Sequence, residues 1–204
     1  MSSFLTIKSK GEGEGLYKEK GSRFLGFSFR VETKDQVEKY LTQLRKDYYD
    51  ARHHCYAWIL GPDKEESRTN DDGEPRHSAG DPILGQIRSR HLTNVLVVVV
   101  RYFGGTKLGV SGLIHAYKSA ADEALENSKI LKIELKKPIK ITYAYEATNE
   151  IMRLVEELEI EIIKQEFNEE CFLSGKIRLS SVEKLKLAFE LYTQTGVSAQ
   201  LSID

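Results

Sequence analysis

The chain has 204 residues, of which 40% are hydrophobic and 30% are charged, and its net charge at pH 7 is −1. This size and balance indicate a globular protein with a buried core, and they exclude a disordered chain and a protein with a global basic field. The start, MSSFLTIKSKGE, lacks a secretory pattern, two cysteines are too few for a disulfide framework, and no apolar run reaches about 18 residues. We therefore expect a reduced cytoplasmic protein that does not span a membrane.

Hydrophobic periodicity predicts alternating strands and helices in the first two thirds of the chain. Phe27, Phe29 and Val31 alternate with small or polar residues, which is the period of a half-buried strand. Two early strands flank the glycine-rich segment GEGEG at 11–15. The predicted strands are 4–8, 23–31, 53–60 and 93–100, and the predicted helices are 35–49, 83–90 and 111–127.

A polar segment of about twenty residues without periodicity follows the strand 53–60. Loops of this length in a compact domain are usually functional or disordered. The segment includes NDDGEP at 70–75, whose acidic residues do not have the spacing of a calcium loop. Asp72 and Glu74 are candidates to hold Mg²⁺ or to orient Arg101, and the alternative is an Asp-Gly turn with solvated charges. We favour a role in lining a site.

The last third of the chain has a different rhythm, with the predicted order β-α-β-β-α-β. This order predicts a four-stranded antiparallel sheet with two helices on one face, the ferredoxin-like plan. We place the domain boundary near Lys136–Pro138, which gives domains 1–136 and 137–204. The first has 22 Lys and Arg against 19 Asp and Glu, a net of +3, and the second has 8 against 12, a net of −4.

The stretch VLVVVVRYFGGTKLGVSG at 95–112 is the strongest candidate for a binding site. Its apolar run indicates a strand buried on both faces, and its glycines lead into a helix whose free N–H groups can bind an anion. Arg101 and Lys107 add positive charge there. The alternative is that the glycines make a tight turn and Arg101 pairs with a carboxylate. The stretch is neither a Walker A loop nor a G-x-G-x-x-G motif.

The sequence HHC at 53–55 raises the possibility of a metal or a cysteine nucleophile. Strand alternation directs His53 and Cys55 to one face and His54 to the other, so the two histidines cannot easily share one ion. A buried structural thiol is the favoured interpretation, and we expect no metal and no cofactor.

Taken together, ARHHCYAW, DDGEP, AGDPIL and VVVVRYFGGTKLGVSGLIHAY resemble the IMPACT family in its bacterial YigZ-type form, and KGSRF at 20–24 also fits. The resemblance covers the whole chain. One departure concerns His77 and Ser78, which stand where the family usually has Gly-Thr. If that glycine contacts a ligand, the local site differs in this chain.

The resemblance implies an α+β protein of two domains. The N-terminal domain is a two-layer α/β domain similar to elongation factor G domain IV and to GHMP kinases, and the C-terminal ferredoxin-like βαββαβ domain is similar to elongation factor G domain V. Eukaryotic relatives act in translational control, by binding the ribosome-associated activator of a starvation-sensing initiation kinase. Bacteria lack that pathway, so this partner does not carry over.

Three functions follow from the resemblance, and we favour the first. It is an RNA- or ribosome-binding module that regulates translation, with a translation-related protein as a further candidate partner. The second is an enzyme acting on a small phosphorylated substrate, and the third is a protein–protein interaction module that uses the face around Tyr102 and Phe103.

The predicted site residues form two groups, with no catalytic residue and no metal ligand assigned. The residues predicted to bind an anion or nucleic acid are Arg101, Gly104, Gly105, Lys107, Gly109, Ser111 and Lys118. The residues predicted to line the site are Arg23, Arg52, His53, Asp72, Glu74, Tyr102 and Phe103.

Overall fold

The structure is a computed structural model that describes residues 2–8 and 13–203. Part of the predicted GEGEG segment, residues 11 and 12, lies outside these ranges. The chain divides into two compact units, which meet in sequence between Ile133 and Glu134. Antiparallel sheets and separate helices confirm the α+β class. Within the described ranges, no helix has both the length and the apolar character needed to cross a membrane.

The first unit contains three helices and most of the strands of the chain. Its strands are β1 (Ser3–Ile7), β2 (Gly13–Glu19), β3 (Ser22–Arg30), β4 (His53–Leu60), β5 (Glu66–Asn70), β6 (Val95–Tyr102) and β7 (Ile130–Glu134), which ends at the boundary. Its helices are α1 (Lys34–Asp47), α2 (Gly80–Ser89) and α3 (Gly109–Glu126). Strands β1 and β7 pair with each other.

Strand β6 lies at the centre of a five-stranded antiparallel sheet with the order β2-β3-β6-β4-β5. Its odd-numbered valines, such as Val97, pack in a core with α2 and α3. Its even-numbered residues, such as Val98, pack in a second core with α1. Because β6 has a hydrophobic layer on each side, the prediction of a strand buried on both faces is confirmed.

Three strands were not predicted, and each lacks the pattern of a buried strand. Strand β5, with the sequence ESRTN, is an edge strand with largely exposed polar side chains, so its residues need no apolar period. Strand β2 begins in the glycine-rich segment, and β7 has only five residues. Helix α2 also begins at Gly80, three residues before its predicted start. The prediction of a twenty-residue loop is therefore wrong.

The second unit has the element order β-α-β-β-α-β. Its strands are β8 (Lys136–Ala144), β9 (Glu161–Glu166), β10 (Glu170–Arg178) and β11 (Ala199–Ile203), and its helices are α4 (Thr148–Glu157) and α5 (Val182–Thr195), each preceded by a short 3-10 turn. The antiparallel sheet has the order β11-β8-β10-β9. Alternate residues of β8 and β10, such as Ile141 and Leu173, form one core with Ile151 of α4 and Leu185 of α5, so both helices cover the same face.

Candidate functional site

A cleft of about 450 Å³ opens in the first unit where β6 ends and α3 begins. We call it the α3 cleft. It is lined by the loop after β5, by the start of β4 and by the segment that joins β6 to α3. The lining residues are Arg52, His53, Gly73, Glu74, Pro75, Arg101, Phe103, Lys107, Leu108, Gly109, Val110 and Leu113.

A buried ion pair forms the floor of the cleft. The Arg101 and Glu74 side chains are 6% and 4% exposed, and Arg101 Nη1 donates to Glu74 Oε1 at 2.5 Å. Tyr117 Oη donates to the same oxygen at 2.7 Å, and His53 Nε2 lies 3.8 Å from it. Arg101 Nε is enclosed without a hydrogen-bond partner in the described structure. The Arg101 charge is therefore compensated inside the protein rather than displayed to solvent.

Two aromatic rings lie close to the guanidinium of this pair. The Arg101 Cζ atom lies 5.3 Å from the ring centroid of Phe24 and 5.5 Å from that of Phe103. These distances are in the range of cation–π attraction. Phe24 is fully buried, whereas Phe103 is 43% exposed and lines the cleft. Phe103 therefore contacts the buried ion pair and also forms part of the solvent-facing rim.

Hydrogen bonds to the carboxylates of Asp71 and Asp72 fix the DDGEP turn and thereby position Glu74. Asp71 Oδ1 accepts from the backbone N–H groups of Ala79, at 3.0 Å, and Gly80, at 2.8 Å, so its carboxylate caps the start of α2. Asp72 Oδ2 accepts from the His54 backbone N–H at 2.6 Å. The two aspartates therefore bind backbone groups, which leaves Glu74 to face Arg101. Asp72 does not line the cleft.

The N-terminus of α3 is open toward the cleft. Leu108, at the N-cap, provides no side-chain hydrogen bond, and the first turn of the helix contains no acidic residue. The first N–H groups and the positive end of the helix dipole are thus available to an anion. Lys107 and Arg52 are exposed, and neither forms an ion pair with a residue that the structure describes. These two side chains are the uncompensated cations of the cleft.

The two adjacent glycines before α3 serve the turn and do not line the cleft. A Cβ atom on Gly104 would lie 1.9 Å from the Gly21 carbonyl carbon, so only glycine lets this segment approach the β2–β3 turn. Gly105 has a φ of +87°, in the left-handed region that favours glycine, and open space surrounds it.

Several other predicted residues lie away from the cleft. Tyr102 follows Arg101 in β6 and faces the α1 side of the sheet, where its hydroxyl donates to Asp50 at 2.7 Å. Arg23 stacks over the Tyr102 ring at 4.8 Å on that side. Ser111 and Lys118 are exposed on α3 but are not lining residues. The structure brings together Arg52, His53, Glu74, Arg101, Phe103, Lys107 and Gly109 from the predicted set.

The HHC segment has the arrangement that strand alternation predicts. His53 lines the cleft and Cys55 is buried in the core on the same face, while His54 is buried near Arg45 of α1. Cys55 Sγ donates to the Asp71 carbonyl at 3.1 Å, and burial raises the pKa of the thiol above its ordinary value. The prediction that this thiol is buried is confirmed. Among the described residues, no three His, Cys, Asp or Glu side chains are grouped as metal ligands.

Tyr117 is the part of the site that sequence reasoning missed. It lies on the apolar face of α3, where it is fully buried against Phe24. Burial raises the pKa of its hydroxyl, which therefore stays protonated and donates to Glu74. The available signal was chemical, because a buried tyrosine hydroxyl requires a hydrogen-bond partner.

Comparison with known proteins identifies the family. The family model for the Impact N-terminal domain matches residues 20–125, which is slightly more than half of the chain. The chain belongs to the IMPACT family. An IMPACT family member from Haemophilus influenzae is 31% identical over 188 residues, with 90% of this chain and 89% of the relative covered. Bacillus subtilis YvyE is 36% identical over 133 residues, which are 65% of this chain and 60% of YvyE.

A solved structure extends the likeness to the length of this IMPACT family chain. The crystal structure of a hypothetical protein has a TM-score of 0.68 and 27% identity, and the match covers 98% of this chain and 97% of that one. The match to YvyE, by contrast, covers less than two thirds of that relative.

His77 of this IMPACT family chain lies in a backbone conformation that favours glycine. Its φ is +63°, in the left-handed region. Its backbone N–H donates to Asp71 Oδ2 at 2.9 Å, and its Nδ1 lies 2.6 Å from Asp81 Oδ2. The buried Ser78 donates to the Pro75 carbonyl at 2.6 Å. Neither residue lines the α3 cleft, and both lie in the turn that precedes α2.

Proposed function

We propose that this IMPACT family protein regulates translation by binding RNA, on the ribosome or free, through a phosphate held in the α3 cleft. The observation that carries the proposal is the coincidence of an uncapped helix N-terminus with two uncompensated cations, Lys107 and Arg52, around one concave site. Free N–H groups at a helix start and nearby cations are the usual components of a phosphate site.

The charges on the floor and on the rim of the cleft have different roles. Arg101 is neutralised by Glu74, so it positions the end of β6 and leaves direct phosphate contact to Lys107 and Arg52. Phe103 is 43% exposed beside them, which suits the stacking of a base next to a bound phosphate. A free phosphate would not need this aromatic surface. The exposed ring therefore favours RNA as the ligand.

The electrostatics of the chain support the same ligand. Residues 1–136 carry a net charge of +3 and residues 137–204 a net of −4. A polyanion is steered toward the cationic part of such a chain. The family resemblance, which implies translational control in eukaryotic members, points in the same direction.

The experiment is a titration of fluorescent single-stranded RNA, and separately of ribosomes, over a salt series. We expect Lys107→Ala and Arg52→Ala each to weaken binding and to reduce the log–log salt slope by about one unit. Phe103→Ala should weaken binding to RNA without changing that slope. The matched control is Lys39→Ala, which removes the same charge from the exposed side of α1, on the opposite face of the sheet.

The outcomes are distinct. An equal loss of affinity in Lys39→Ala would assign binding to overall charge, and unchanged affinity and slope in both cleft variants would contradict the proposal.

The floor of the cleft favours a second function, which is turnover of a small phosphorylated substrate. A buried carboxylate, a protonated tyrosine and a histidine meet there, and such clusters in clefts are common at active sites. If RNA binding ignores the cleft variants, phosphorylated metabolites should be screened with ATP. A reaction that Glu74→Gln abolishes in a folded protein would establish this alternative.

We also propose that the two compact units are separate domains, similar to elongation factor G domains IV and V, and that the second is ferredoxin-like. The element order and strand order of the second unit support this assignment. Trp58, the single tryptophan, is buried in β4 and reports on the first unit alone. Urea unfolding followed by its fluorescence and by circular dichroism of the whole chain should give different midpoints. If the experiment is repeated at several pH values, coincidence of the two unfolding curves at all of them would contradict separate domains.

A further inference from the structure

We propose that β9, at the edge of the second unit's sheet, pairs antiparallel with β9 of a second copy of this chain. Strand β9 is the last in the order β11-β8-β10-β9, so no strand in the described part of the chain pairs with its outer side. It nevertheless exposes Ile162 at 38% and Ile163 at 59%, and Phe167, just beyond it, is 56% exposed. An exposed edge strand with apolar side chains is a template for pairing with another chain.

In the five-stranded sheet of the first unit, side chains cover one edge. On β2, the Leu16 backbone N–H donates to Glu123 Oε2 at 2.9 Å, and the Glu14 carbonyl accepts from Asn127 Nδ2 at 2.7 Å, so α3 occupies that edge. Its opposite edge, β5, is polar. Strand β9 differs from both because two isoleucines remain at an edge that no described strand covers.

The sequence of β9 is complementary to itself when it is read antiparallel. It begins Glu161-Ile162-Ile163-Lys164. If the twofold axis passes between the isoleucines, Glu161 of each copy faces Lys164 of the other, and Ile162 faces Ile163. Opposite charges and apolar pairs directly across strands are stabilising, whereas like charges are destabilising. From this charge complementarity we infer that the strand pairing with β9 belongs to a second copy of this chain.

A bulge in β9 makes this register geometrically consistent. Ile162 pairs with Gly175 and Lys164 with Ser174, so Ile163 is the extra residue between them. The pairing places Glu161 and Lys164 on the open face of the sheet and leaves Ile162 on the helix face. In a strand without a bulge, residues three apart point to opposite faces, and this register would mismatch every pair. Here the bulge brings Glu161 and Lys164 to the same face, so that each can lie opposite the other's counterpart in the second copy.

The length of the strand predicts a weak dimer. Six residues span about 20 Å, and an interface of this kind falls below the roughly 1,200 Å² of stable complexes. We expect self-association over about 10 μM to 1 mM, which is the range of such contacts. Sedimentation equilibrium of the full chain should show the average mass rising with concentration from 23.2 kDa toward twice that value.

The variants test the surface and the register separately. Ile163→Lys should hold the mass at that of the monomer, whereas Leu187→Lys, at a 62% exposed site on α5, should leave association unchanged. Glu161→Lys and Lys164→Glu should each weaken association at least tenfold, and the double charge reversal should restore it. The Lys136–Glu161 and Lys164–Glu166 ion pairs within the chain cannot explain this rescue, because both stay disrupted in the double variant.

Circular dichroism of each variant is the control for folding. A constant monomer mass up to about 1 mM, where even weak contacts form, would overturn the proposal. So would association that resists Ile163→Lys or that responds equally to Leu187→Lys. Loss in both single reversals without rescue in the double would equally overturn it, because the register would then be wrong.

Discussion

The ion pair at the floor of the α3 cleft should be the most sensitive polar contact in the first unit. In Arg101→Met the Glu74 carboxylate keeps its hydrogen bond from Tyr117 but loses its charged partner, at a side chain only 4% exposed. Removing one member of a buried pair typically costs about 3–5 kcal/mol, because the other charge stays buried. Glu74→Gln leaves the Arg101 charge unpaired in the same way, so we expect a loss of similar size.

Removing both charges at once should cost far less than the sum of the two single losses. Replacement of a buried pair by uncharged side chains is often close to neutral, so the double variant should lose less stability than either single variant. The coupling free energy should then be at least about 3 kcal/mol, the size of one single loss. The assay is urea unfolding followed by Trp58 fluorescence, since Trp58 lies in β4, which pairs with β6. Additive losses, or single losses below about 1 kcal/mol, would refute the assignment of a desolvated and mutually dependent pair.

Three further measurements test the turns and a buried histidine. Gly104→Ala should destabilise the first unit by about 3 kcal/mol because its Cβ meets backbone, whereas Gly105→Ala should cost about 1 kcal/mol from its positive φ alone; equal losses would contradict the close approach. His77→Gly should stabilise the protein by about 0.5 kcal/mol, with release from the left-handed conformation offset by glycine entropy, and a lowered melting temperature would count against this. Burial lowers the pKa of His54, so the unfolded chain binds a proton on this histidine more readily, and stability should fall as the pH drops below about 6.5. In His54→Gln the melting temperature should therefore depend less on pH between about 7.5 and 5.5. A pH profile that matches the unsubstituted protein would exclude His54 as the cause.

The sequence predicted those helices and strands that pack against a core, because packing requires apolar residues at regular spacing. The valine run of β6 and the apolar spacing of α3 arise because these elements pack against a core, so their types were readable directly. Strands β2, β5 and β7 were not, because the identity of an edge or short strand comes from its pairing partner. Tertiary pairing leaves little trace in the composition of such a segment.

The same distinction applies to the cleft. The approach of a helix start to the end of β6 follows from chain order, and so Lys107 and Gly109 could be placed there. The sequence offered Asp72 and Glu74 as partners of Arg101 without distinguishing them, because Glu74 lies 27 residues away in a loop whose shape depends on Asp71 and Asp72. Local sequence does not tell which of two neighbouring carboxylates a folded loop will bring to a distant arginine.

The central position of β6 sets a timescale for the site. All but the last residue of this strand are buried between two hydrophobic layers and two neighbouring strands, so its amide protons should exchange with solvent only when the whole unit opens. Arg101 is attached to that slowest part of the unit, whereas Lys107 lies on an exposed turn that can move in nanoseconds to microseconds. A ligand entering the cleft would thus meet a floor that persists for as long as the unit stays folded. The entropy lost on binding would come almost entirely from the rim.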